Sequence, residues 1–135
     1  MAALGYAGLL PFYAAALYLL LALPGAQHAL QGFIVYATVI LAFLGGTLWG
    51  YAVSQPRPEK HRRLLLSNLV ALFAAACALL AQPLAAVIIL ALGQLALLTY
   101  ERDRGDCTGW YLRLRTRLTL GVMPAHLLVV LALLR

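Results

Sequence analysis

Charge is confined to a small part of this chain. Nine of its ten Lys/Arg residues lie in segments 54–63 and 101–117, and the tenth is Arg135. All four acids, Glu59, Glu101, Asp103 and Asp106, share those two segments. The remainder is apolar or uncharged, with 64% hydrophobic residues and a mean hydropathy of +0.92. A water-soluble domain averages near 25% charged residues. A 135-residue chain with 10% has too little polar surface to cover its apolar side chains in water. A bilayer removes that demand, so the pattern predicts a polytopic membrane protein. The excess of six positive charges flanks apolar runs rather than forming one face of a domain. That placement argues for topology determinants and against nucleic-acid binding.

Turn residues divide the apolar length. Spans are expected at 3–23, 30–53, 64–81, 83–99 and 118–134. The run 64–99 holds 36 uncharged residues, which as one helix would reach ~54 Å against a hydrocarbon core of ~30 Å. Gln82-Pro83 splits it into two antiparallel helices, with Pro83 in the first turn of the second, where its missing N–H costs nothing. The fold class is therefore an all-α transmembrane bundle of five spans forming one domain. Five spans put the termini on opposite sides and both basic loops on the N-terminal side. The Lys/Arg bias then places the N-terminus in the cytoplasm, or the mitochondrial matrix in a eukaryote, and the C-terminus across the membrane. The expected location is a bacterial cytoplasmic (inner) membrane or the mitochondrial inner membrane. Segment 9–23 is similar to the hydrophobic region of a signal peptide, but no Lys or Arg precedes it, and it is read as a retained first helix.

Several local patterns carry competing readings. Gly46 and Gly50 form a GxxxG step preceded by Gly45, which either packs helices within the chain, seams two copies, or bends a helix beside a cavity. Gly5, Gly8 and Pro11 suggest close packing of the first helix and either a kink or a helix start at Pro11. Thr47, Asn68, Gln94 and Thr99 fall in the loop-side half of their spans, and His126 lies near the middle of the last. Either they bond one another or Trp49, Asn68, Gln94 and His126 line a ligand pocket open to the loop side. His126 is the one titratable group expected well inside a span, and no acidic side chain is expected there. The Glu101–Arg104 cluster is read as solvated and self-paired. The stretch Trp110, Tyr111, Arg113, Arg115 and Arg117 is read as a helix lying at the interface, its rings at headgroup depth and its arginines either anchoring topology or holding a lipid phosphate.

The chemistry expected of the chain is correspondingly sparse. It has no GxSxG and no HExxH. Its two cysteines, Cys77 in mid-span and Cys107 in the second loop, form no CxxC and lie too far apart for an expected disulfide. The three histidines fall at different depths, unsuited to a bis-histidine haem. No metal, cofactor or catalytic set is expected. The leading expectation is a non-enzymatic accessory or homo-oligomeric protein acting through helix packing, in contact with membrane lipids. The alternative is a binder or carrier of a lipid-like or small molecule through an intramembrane pocket on the cytoplasmic side.

The strings Leu4-Gly5-Tyr6-Ala7-Gly8-Leu9-Leu10-Pro11-Phe12, then Phe43-Leu44-Gly45-Gly46-x-x-Trp49-Gly50, then Trp110-Tyr111-Leu112-Arg113-Leu114-Arg115 with Leu118-Thr119 resemble the transmembrane-protein-69-like family of small bacterial and mitochondrial membrane proteins. The resemblance spans almost the whole chain in the same motif order. It implies a multi-span helical membrane protein and carries over no activity and no catalytic residue.

Overall fold

The computed structural model describes residues 2–54, 58–104 and 109–135, and the described residues contain no strand. Six helices follow in order: α1 (Ala2–Ala7), α2 (Leu10–Leu20), α3 (Ala26–Ser54), α4 (Lys60–Leu80), α5 (Pro83–Arg104) and α6 (Gly109–Leu133). α1 and α2 together form the first of five units long and apolar enough to cross a membrane, and α3 to α6 form the others. The protein is a multi-pass helical membrane protein.

Pro11 resolves the first span. It occupies the opening turn of α2, where a proline ring fits, and its ring excludes a continuous helix through Ala7. The chain resets at Gly8-Leu9, and the Tyr36 hydroxyl donates to the Gly8 carbonyl at 3.0 Å. The next turn uses Ala22 and Gly25 at positive φ, 48° and 85°, so α3 starts at Ala26, four residues before the expected 30. α5 begins at Pro83.

The larger departures are at the charged ends. α5 runs to Arg104 rather than 99, and α6 begins at Gly109 rather than 118. The stretch expected to lie flat at the interface is instead the opening of the last transmembrane helix. Leu, Arg and Glu are strong helix formers, and hydropathy marks where a helix leaves the hydrocarbon rather than where it ends. Cys107 and Asp106 lie outside the described residues.

α3 is the central helix. It packs against α2, α4 and α5, while α6 closes the bundle against α2 and α5. Ala16, Ala37, Ala74, Ala86 and Ala125 are fully or almost fully buried at the crossings. In lipid, close van der Waals contact rather than exclusion of water holds helices together, and small side chains permit it. Large side chains such as Leu72, Leu79 and Leu80 point outward, where hydrocarbon solvates them. Gly45 belongs to the contact with α4: a Cβ there would stand 2.9 Å from Val70 Cγ1 and 3.3 Å from the Ser67 carbonyl. Gly46 and Gly50 do not, since nothing lies within 4 Å of theirs. The buried stripe of α3 is Leu41, Gly45, Leu48 and Ala52, and one residue's 100° rotation turns Gly46 away from it. The GxxxG step therefore faces out of the bundle, against the reading in which it packs helices within the chain.

The two charged segments meet at one end. Arg104 Nη1 stands 2.6 Å from Glu59 Oε1, and Arg63 Nη2 stands 3.8 Å from Glu59 Oε2. At the other end Arg135 donates to the Leu20 carbonyl at 3.0 Å.

A buried ion pair beside an intramembrane cavity

On α5 the residues Val87, Leu90, Gln94, Leu97, Leu98 and Glu101 are buried, and on α6 Arg115, Thr119, Val122, His126 and Val129. The α6 series steps by three or four, and so does the α5 series apart from the adjacent Leu97 and Leu98, the spacing of one helix face. Because α5 and α6 are antiparallel neighbours, Glu101 and Arg115 come together near the charged end. Arg115 Nε donates to Glu101 Oε2 at 3.1 Å, and the two side chains are only 4% and 2% exposed. Arg115 Nη1 donates to the Thr119 hydroxyl, one turn along the same face. The Thr47 hydroxyl of α3 donates to the Leu44 carbonyl at 2.7 Å and lies 3.3 Å from Glu101 Oε1. A carboxylate and a guanidinium taken out of water each incur a large desolvation cost, offset when they face each other with further donors and acceptors in place.

The arrangement overturns three expectations. Glu101 is not part of a solvated, self-paired cluster, and an acidic side chain does sit inside a membrane-spanning helix. Arg115 is not an interfacial arginine. Arg113 and Arg117, on the other faces of α6, are exposed, as is Trp110, and Tyr111 is half-buried. Three of these, Trp110, Arg113 and Arg117, border a shallow hollow with Ala2 and Tyr6.

The expected pocket of Trp49, Asn68, Gln94 and His126 is not assembled. Trp49 is half exposed on the outside of α3. Asn68 is exposed, and its amide donates to the Leu64 carbonyl of its own helix at 3.2 Å. Each sits one position from a buried neighbour, Leu48 and Ser67, and that single-residue phase sends it to lipid. Gln94 and His126 are buried, at 1% and 3%. His126 Nδ1 donates to the Val122 carbonyl at 3.2 Å, and its ring centre lies 5.5 Å from that of Phe12 in a tilted contact and 4.9 Å from that of Phe33 edge to face. Its Nε2 has no partner.

A cavity of about 310 Å³ lies where α1, α2, α3, α5 and α6 meet. Gln94, Arg115 and Thr119 contribute its polar wall, and Gly8, Phe12 and Tyr36 are among its apolar contacts. Leu4 and Phe43, 77% and 69% exposed, border it as well, so it opens sideways toward the bilayer. The Gln94 amide nitrogen and Arg115 Nη2 are buried with no hydrogen-bond partner among the described residues. His126 stands behind Phe12, away from this wall. A second hollow, about 610 Å³, runs between α4 and α5 and is lined by Leu66, Phe73, Ile89, Gly93 and Tyr100 among others. Among the described residues, no three of His, Cys, Asp and Glu cluster as a metal site would require.

The sequence reading missed Thr47, Glu101, Arg115 and Thr119 as partners. The signal was available in the stripe: Arg115 and Thr119 share the phase of His126, and Glu101 shares that of Gln94.

The profile of a family described as "Protein of unknown function (DUF3429)" matches residues 1–131. Transmembrane protein 69 of Xenopus tropicalis is 39% identical over 67 residues, covering 48% of this chain and 26% of that protein. The match thus spans about a quarter of that curated relative's length. No solved structure matches the chain.

Proposed function

The chain belongs to the DUF3429 family of proteins of unknown function, and we propose that it is a non-enzymatic membrane protein that holds a lipid-like molecule between its helices. One observation carries the reading: two donors, Gln94 Nε2 and Arg115 Nη2, are buried without partners in side chains that line a cavity opening to the bilayer. A buried donor left unmet costs about 1–3 kcal/mol, and hydrocarbon offers nothing to meet it. Small-molecule sites are mostly apolar hollows with a few oriented polar groups, and this cavity has that form. Binding without chemistry is favoured because the one acidic group next to the polar wall, Glu101, is committed to Arg115, and His126 does not line the cavity.

In this reading the charged end faces the cytoplasm or the mitochondrial matrix, as the nine-to-one distribution of Lys/Arg supports. Trp110, Arg113 and Arg117 then meet lipid headgroups there. Purification in native-lipid discs, followed by mass spectrometry of co-eluting molecules, tests the proposal. A defined amphiphile should accompany the wild-type protein and be lost when the cavity is filled by Leu44→Trp. Identical lipid profiles for the two proteins would refute it.

A second reading, self-association through α3, is supported by Gly46 and Gly50, which leave open space on the outer face of that helix. It is compatible with the first and is tested by the oligomeric state of Gly46→Ile in the same discs.

A further inference from the structure

We infer that the cavity selects an uncharged, chiefly apolar molecule through a carbonyl oxygen, and discriminates against anionic amphiphiles. This rests on the reading of the cavity as a binding site and concerns which chemistry it accepts. A guanidinium has only donors, so Arg115 Nη2, buried and without a partner among the described residues, can be met only by an acceptor, which a ligand would supply once this lining side chain turns toward it. The Gln94 amide nitrogen asks for the same. Acceptors come in two kinds, neutral carbonyls and carboxylate or phosphate oxygens, and the charge balance decides between them.

Arg115 is already neutralised. Its Nε donates to Glu101 Oε2 at 3.1 Å, and the pair is almost wholly buried. The cavity wall therefore carries no net charge. An anion added to this site would meet a guanidinium whose charge Glu101, just outside the lining, already balances, and would leave its own hydration with no surplus positive charge to receive it. The remaining arginines of α6 near this end, Arg113 and Arg117, are exposed on other faces and do not line the cavity. A carbonyl oxygen gains the two donors without that cost. The volume, about 310 Å³, is on the order of ten water volumes. It suits a short chain or a ring-sized head whose tail leaves between Leu4 and Phe43.

Three probes of equal chain length separate the possibilities: methyl decanoate, decanoate at pH 8, and decane, each titrated into the protein in lipid discs with affinity and thermal shift read together. Methyl decanoate is expected to bind about tenfold more tightly than decanoate and about tenfold more tightly than decane, with Leu44→Trp abolishing all three. Gln94→Leu preserves volume and removes an unmet donor, so it should fold at least as well while bringing ester and decane within about threefold of each other. Glu101→Gln leaves Arg115 with a net charge, and decanoate should then stabilise that variant more than the ester does. Should it fail to fold, the three-probe comparison on the wild-type protein still decides.

Decanoate binding as tightly as the ester to wild-type protein overturns the inference while leaving the cavity a binding site. Decane matching the ester in wild-type protein shows the donors idle and overturns it too. If none of the three binds, the binding reading falls and this inference with it.

Discussion

Glu101 and Arg104 sit one helical turn apart on α5, and each forms an ion pair, but the two pairs are physically different objects. Glu101 faces Arg115 with side chains 2% and 4% exposed. Arg104 faces Glu59 with side chains 29% and 39% exposed. Three residues of helix rotation move the side chain from the bundle interior to its rim. The interior pair is held by Arg115, Thr119 and the neighbouring Thr47, whereas the outer pair is screened by whatever water and ions reach that end. Residue type alone therefore says little about the worth of a charge here, and its phase on the helix says most.

The comparison breaks most visibly at the interior pair. Arg115→Leu leaves Glu101 buried and unmatched and should lower stability by about 3–5 kcal/mol, measured by reversible unfolding in mixed micelles or discs. Replacing both partners, Glu101→Leu with Arg115→Leu, should recover most of that loss, because well-packed apolar residues substitute for a buried pair at little cost. A double variant as unstable as the single one would mean that the pair does more than neutralise itself.

Next in size is the contrast between Gly45 and its neighbour. Gly45→Ala drives a methyl onto Val70, a β-branched side chain that cannot swing aside, and should cost about 1–3 kcal/mol. Gly46→Ala meets nothing within 4 Å and should be neutral or stabilising by up to ~1 kcal/mol through helix propensity. Equal losses at both positions in the monomer would remove the assignment of inward and outward faces.

The smallest effect belongs to the outer pair. Arg104→Ala, which removes the outer pair and leaves Glu59 beside Arg63, should change stability by about 0–1 kcal/mol, less at high salt. A loss comparable to that of Arg115→Leu would show that the Glu59–Arg104 pair is shielded in the membrane.

Much of the fold was legible because its cause is crude. A bilayer core excludes charge, so stretches without Lys, Arg, Asp or Glu are spans, and Pro83 marks where the fourth begins. Helix ends were less legible, since Arg102 and Arg113 continue helices into the headgroup region where hydropathy no longer reports helicity. Of the site, Gln94 and His126 were singled out by polarity in an apolar run and are buried. Trp49 and Asn68 were singled out on the same grounds and face lipid. Polarity identifies an unusual residue, and only its phase relative to neighbours such as Leu48 or Ser67 says which way it points. Glu101 and Arg115 were hidden by their company: among so many loop charges, membership in the stripes of Gln94 and His126 was the distinguishing mark.

The Glu101–Arg115 contact also bears on how the polypeptide is made. α5 leaves the ribosome first, carrying an acid on the face that must end up dry, and α6 follows with the base that cancels it. A lone charge within a membrane helix raises the insertion cost, by about 2.5–3.5 kcal/mol at the centre and by less toward the charged end where Glu101 sits, whereas a matched couple enters nearly neutral. The last two helices are thus suited to entering the bilayer as one hairpin, with acid and base cancelling each other on its inner face.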